Sequence, residues 1–151
     1  MTRTEDPKGH AWATFLTAHA VLIEAVEAAL AAAGLPPLAW YDVLWELEKA
    51  GEPGLRMHAL ARRTVITRPN LSRLADRLED AGLIERRDSP ADGRGYDLVI
   101  TKSGRAKRKA MWPVYEAQIE KLFSRHVSVA EARALSDVLA RAIRSVRKGL
   151  E

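Results

Sequence analysis

Asn70, Ser72, Arg73 and Arg77 lie in one short stretch behind Arg68 and Pro69. Stepping ~100° per residue along a helix, Leu71, Leu74, Ala75 and Leu78 cluster on one face. Arg73 falls almost opposite, Pro69, Asn70 and Arg77 share that outer half, and Ser72 sits at its edge. These side-chain types read base edges: arginine pairs with guanine, asparagine with adenine, and serine with either. Any solvated helix also shows arginine and asparagine, so this face alone decides nothing. Asp76 and Asp80 on the same half count against a plain phosphate-binding surface. They are placed instead to hold arginines, with Asp76 in reach of Arg73 and Arg77.

A second group follows. Arg94 stands between Gly93 and Gly95 at the tip of the turn-rich segment 88–95, and Arg86 and Arg87 lie at its base. An arginine carried on such a tip can enter a narrow minor groove, where the negative potential is strongest. Asp92 is a poor DNA contact by itself and is expected to brace the loop or pair with an arginine. An ordinary exposed turn would show similar charges. The preceding helix and the local charge favour a nucleic-acid wing over that blander reading.

The elements that must position these groups follow from apolar spacing and punctuation. Residues 10–33 read as a helix, with Trp12, Phe15, Leu16, His19, Leu22, Ile23, Val26 and Leu30 on one stripe. Gly34 and Pro36-Pro37 end it, a second helix covers 39–49, and a short one 57–63. The helix of interest spans 68–81, capped by Thr67 or Arg68, with Pro69 in its first turn. Strands are expected at 83–87 and 96–101, with Tyr96, Leu98 and Ile100 alternating inward against Asp97 and Val99. A long helix from 103 to 125 contains Pro113, where a kink is expected. Ser128 and Glu131 form a capping box for a last helix that reaches Lys148. Short helix, turn, longer helix and hairpin make a winged helix-turn-helix, mainly α with a small β-hairpin wing.

Composition narrows the class. Of 151 residues, 47% are apolar and 29% charged, which is ordinary for a globular chain. No cysteine is present, so disulfides, thiol nucleophiles, thiol-based peroxide sensing and zinc-cysteine sites are excluded. Residues 56–109 hold 14 Lys and Arg against 7 Asp and Glu, whereas the rest of the chain is slightly acidic. A localised positive field points to an anionic partner such as nucleic acid. His19, Glu24 and Glu27 interrupt the apolar stretch 11–33, arguing against a membrane span, and the first ten residues lack the apolar core of a signal peptide. A cytoplasmic protein without membrane contact is expected.

The run from Leu71 to Arg86, followed by Asp92-Gly93-Arg94 and Leu98-Val99-Ile100-Thr101, resembles the MarR family of regulators. The resemblance spans roughly 35–103 at motif level. Ile100 stands where the family usually has leucine before the threonine. The resemblance implies a homodimer built from the end helices, here 10–34 and 103–148, around a DNA-binding domain at 38–102. It implies repression at a palindromic double-stranded operator and release by a small aromatic or phenolic effector, commonly an anion. By position it assigns Pro69, Asn70, Ser72, Arg73 and Arg77 to the recognition helix and Asp92 and Arg94 to the wing. Arg68 and Arg86 join the candidate DNA contacts as neighbouring cations.

Trp12, His19, Trp40 and Trp45 are the candidate effector contacts, since aromatics with a titratable donor suit an aromatic carboxylate. A lone histidine on an apolar stripe is more often a satisfied core or interface residue, and Trp40 more often core. No metal or other cofactor is expected: His10 and His19 are about half a turn out of phase, and His58 and His126 have no partner ligands in sequence. Nor is catalysis. The chain has no phosphate loop, no His-Glu-x-x-His and no Gly-x-Ser-x-Gly, and Ser103 and Lys107 miss the Ser-x-x-Lys spacing. The alternatives are a winged-helix protein-interaction module and an architectural DNA-binding module without effector response.

Overall fold

The computed structural model describes residues 6–89 and 95–148, in two compact units that part after Glu116. In the first, α1 spans Pro7–Ala32, starting earlier than the apolar stripe suggests. The reason is a cap: Asp6 Oδ2 accepts from the Gly9 N–H at 3.0 Å, and Pro7 supplies a first residue already fixed near helical φ. After the Pro36-Pro37 break, α2 runs Leu38–Ala50 and α3 Met57–Arg63. Helix α4 is Arg68–Asp80 with Thr67 as N-cap, so Arg68 takes helical geometry despite the proline after it.

Strands β1 (Ile84–Asp88) and β2 (Tyr96–Ile100) pair antiparallel, with Ile84 opposite Ile100 and Arg86 opposite Leu98. Leu55 adds a bridge that sequence spacing does not reveal: its N–H donates to the Leu98 carbonyl at 3.0 Å and its carbonyl accepts from the Leu98 N–H at 2.8 Å. Gly54 beside it abuts the Leu98 carbonyl and the Val99 side chain, leaving no room for a Cβ. That cover explains why Val99 is buried together with Leu98 and Ile100, where strict alternation predicted an outward Val99.

One core joins these elements. Val43, Leu44 and Leu47 of α2, Leu60 of α3, and Leu71, Leu74, Ala75 and Leu78 of α4 meet Leu83, Ile84, Leu98 and Ile100. Each buried leucine contributes ~1.5–3 kcal/mol, so α4 is fixed by the face opposite its arginines. By length and hydropathy α1 could cross a membrane. Its C-terminal half is instead built into the fold: Val26 and Leu30 are buried, and Glu27 Oε1 accepts from the Leu38 N–H at 2.7 Å.

Helix α5, Lys102–Leu122, continues through Pro113 and stops short of the expected Arg125, giving way to a 3-10 turn at Ser124–His126. The second unit holds its last turns, the 3-10 turn and α6, Val129–Lys148. The capping box forms as expected. The Glu131 N–H donates to Ser128 Oγ at 3.1 Å and the Ser128 N–H to Glu131 Oε1 at 3.0 Å, bonds that hold the Glu131 carboxyl below its usual range. None of the described α6 residues is buried.

Candidate nucleic-acid interface

The outer face of α4 is built by exclusion: with Leu71, Leu74, Ala75 and Leu78 inward, Arg68, Pro69, Asn70, Ser72, Arg73 and Arg77 are all exposed. Arg73 Nη2 donates to Asn70 Oδ1 at 2.9 Å, which orders two of the candidate base-reading side chains as one unit. Among the described residues, neither Arg68 nor Arg77 has an ion-pair partner. Asp76 does not hold Arg73 or Arg77, as helix spacing suggested; it reaches the hairpin.

There it meets Arg86. Arg86 Nη2 donates to Asp76 Oδ1 at 2.5 Å and Nη1 to Glu79 Oε1 at 2.8 Å, while its backbone N–H donates to Glu79 Oε2 at 3.2 Å. The guanidinium also lies over the Tyr96 ring, 5.1 Å from its centroid. The hydrogen bond to Asp76 leads in raising the Arg86 pKa further above its ordinary value. Its place in the sequence groups Arg86 with the candidate DNA contacts; the fold ties its charge to α4 and thereby fastens hairpin to helix. Arg87 is held likewise, donating from Nη1 to both Glu52 oxygens at 2.8 and 2.9 Å and from Nη2 to Glu85 at 3.2 Å. Asp92 and Arg94 lie outside the described residues.

Thr101 stands between the end of β2 and the start of α5. Its Oγ1 donates to the Gly82 carbonyl at 2.7 Å and accepts from the Gly104 N–H at 3.0 Å. One hydroxyl therefore caps α5 and ties it to the loop that leaves α4. Gly104 packs against the Leu83 carbonyl and the Ile100 side chain, where a Cβ would collide. In the sequence Thr101 stands out by motif alone, and nothing there marks Gly104.

Beside the helix-turn-helix lies a cleft of about 530 Å³, walled by His19, Ile23 and Glu27 of α1, Leu38, Asp42, Trp45 and Glu46 of α2, Arg63 of α3, the turn Thr64-Val65-Ile66, and Tyr115 of α5. His19 and Trp45 thus line the same cleft. Trp40 packs on the hydrophobic core, and Trp12 is 52% exposed against Phe15 on α1; neither lines the cleft. Three carboxylates outside the candidate effector contacts, Glu27, Asp42 and Glu46, do line it. Burial, reinforced by Glu27 and then Glu46, pushes the Asp42 carboxyl up to about 6. The Tyr115 phenol is raised by burial first, then by Asp42 and Tyr41.

Residues 33–95 match the MarR family model. The HTH-type transcriptional repressor Rv2887 of Mycobacterium tuberculosis is 33% identical over 132 residues, 87% of this chain and 84% of its own. The fold is similar to that of AbsC, a MarR family transcriptional regulator from Streptomyces coelicolor, with a TM-score of 0.84 at 26% identity over 97% of this chain and 99% of that one. Sco3205, a MarR family transcriptional regulator from the same organism solved in complex with DNA, gives a TM-score of 0.83 at 24% identity, covering 97% and 93% of the two chains.

Proposed function

This chain belongs to the MarR family of DNA-binding transcriptional regulators and is not an enzyme, and we propose that it acts in the cytoplasm as a homodimeric repressor of a palindromic operator, released by a small aromatic effector. The observation that carries the DNA-reading half of this proposal is the exposed face of α4, with Arg73 ordered by Asn70 and the hairpin fastened behind it by Arg86. Residues 38–102 read the operator, with α4 in the major groove and Arg94 in the minor groove. The helices at 10–34 and 103–148 make the dimer, whose apolar side chains lie bare on the single chain: Leu16 and Val21 on α1, Val138 and Ile143 on α6. Repression is the activity named for the Mycobacterium tuberculosis relative. The effector reading is supported by the cleft, which touches both α1 and the turn that leads into α4.

The test is fluorescence anisotropy of a duplex from the region upstream of the protein's own gene against a scrambled duplex, at two salt concentrations. Tight binding that prefers the native duplex and weakens steeply with salt is expected, because each neutralised phosphate releases counterion. Salt-sensitive binding to a genomic library without any preferred sequence would establish an architectural role instead. Absence of DNA binding in every duplex would leave the protein-interaction module as the reading.

A further inference from the structure

The effector cleft has a sign of charge, and it is not the one expected for an aromatic anion. Glu27 and Glu46 flank Asp42, and all three line a cavity whose other walls include Ile23, Leu38, Val65, Ile66, Trp45 and Tyr115. Glu27 is occupied in accepting from the Leu38 N–H, and Glu46 pairs with Lys49 at 2.8 Å. Among the described residues Asp42 has no hydrogen-bond donor, although it is partly buried. An ionised carboxylate in that position lacks a partner and faces two like charges, an arrangement that a bound cation relieves.

The apolar and aromatic walls add a second requirement. A bare metal ion would leave them uncovered, whereas an organic cation with an apolar body would cover them and gain from aromatic faces. We infer that the cleft takes a small cationic amphiphile, an amine on an aromatic or aliphatic body, with its charged group at Asp42 and its body along Ile23, Leu38 and Ile66. This deepens the effector reading above and rests on it for the consequence at DNA. Such a ligand touches α1 and α2 as well as Thr64, Val65 and Ile66. Val65 is 93% exposed in the turn three residues before α4, so a molecule seated there bears directly on the placement of the reading helix.

Glu27 from α1, Tyr41 and Glu46 from its own helix and Tyr115 from α5 act on Asp42, and His19 from α1 and Arg63 from α3 line the same cleft. Arg63 is the opposing cation, carried at the exposed end of α3. Cation binding favours the ionised carboxylate, so affinity is full well above pH 6 and falls as pH drops through that value, by roughly tenfold at pH 5.

The experiment is calorimetric titration of the full-length protein with 2-phenylethylammonium and with 3-phenylpropanoate, matched in body and opposite in charge, at pH 7.5 and pH 5. The expected result is preference for the amine by tenfold or more at pH 7.5, lost at pH 5 in the wild type and lost at pH 7.5 in Asp42→Asn. The wild-type pH arm carries the test if that variant does not fold. Preference for the carboxylate, equal binding of both, binding of neither, or amine binding that survives Asp42→Asn would each overturn the inference. Anisotropy on the operator duplex then separates the two readings. Amine binding at Asp42 that leaves DNA affinity unchanged keeps the cationic site and removes its effector role.

Discussion

Arg73 and Arg86 are both candidate DNA contacts, and their neighbours distinguish them. Arg73 is exposed, and its single bond to Asn70 orders it without neutralising it. Arg73→Ala is expected to cost ~1–3 kcal/mol in operator affinity and to relax preference at one base pair, as truncating a base-reading arginine does. Arg86 is neutralised by Asp76 and Glu79 and covered by Tyr96. Arg86→Ala is expected to weaken binding by loosening the hairpin, with the slope of log affinity against log salt nearly unchanged. Loss of a true phosphate contact would reduce that slope by ~0.9, so a drop of that size in Arg86→Ala would return Arg86 to the DNA contacts. The Arg73 face was legible in the sequence because helical period alone turns it away from Leu71, Leu74 and Leu78. The Arg86 partners were not, because they depend on how the chain reverses at Gly82. The acid wall of the cleft was hidden for the same reason: Glu27 and Asp42 come from different helices, and no local spacing brings them together.

Helices α2 to α4 and the C-terminal end of α1 were legible nearly to the residue, helped by strong punctuation at Gly34 and Pro36 after α1, Pro69 within α4 and Gly82 after it, whereas the start of α1 at Pro7 was set by the Asp6 cap. The ends of α5 illustrate what spacing leaves open. Its apolar pattern runs on past Leu122, yet the backbone tightens into a 3-10 turn at Ser124. At the other end, Thr101 does by side chain what a glycine or proline does by backbone elsewhere. Its hydroxyl serves the Gly104 N–H and the Gly82 carbonyl at once, so β2, α5 and the end of α4 share one fastening point. Thr101→Val keeps shape and strand propensity but removes both bonds, with an expected loss of ~1–2 kcal/mol in unfolding free energy. Thr101→Ser, which keeps the hydroxyl, should recover most of it. Urea unfolding would show this as a lower midpoint at constant m-value. A Val variant as stable as wild type would mean that the hairpin and α5 are fixed by packing alone.

For the whole molecule, the proposed dimer rests on the apolar residues that each terminal helix leaves bare. On α1, Trp12, Phe15, Leu16 and Val21 are bare, and on α6 so are Leu135, Val138, Ile143 and Val146. Helix α6 has charged residues on its remaining surface, so its apolar residues form a face of their own. A second copy presenting the same faces would cover them isologously, and a twofold protein matches a palindromic operator with half-sites one helical turn apart. A charge placed on that face should therefore act on DNA from a distance. Val138→Glu, at a position 51% exposed in the single chain, has little to disturb within its own fold. It is expected to shift sedimentation from twice the chain mass to the chain mass at micromolar concentration. Full-operator affinity should then fall by ~10²–10⁴-fold, because the second half-site is no longer bound within one assembly, while affinity for an isolated half-site is kept. Equal losses on full and half sites would place the damage in the DNA-reading domain. A wild-type chain that sediments as a monomer would remove the dimer and leave the bare faces of α1 and α6 to some other partner.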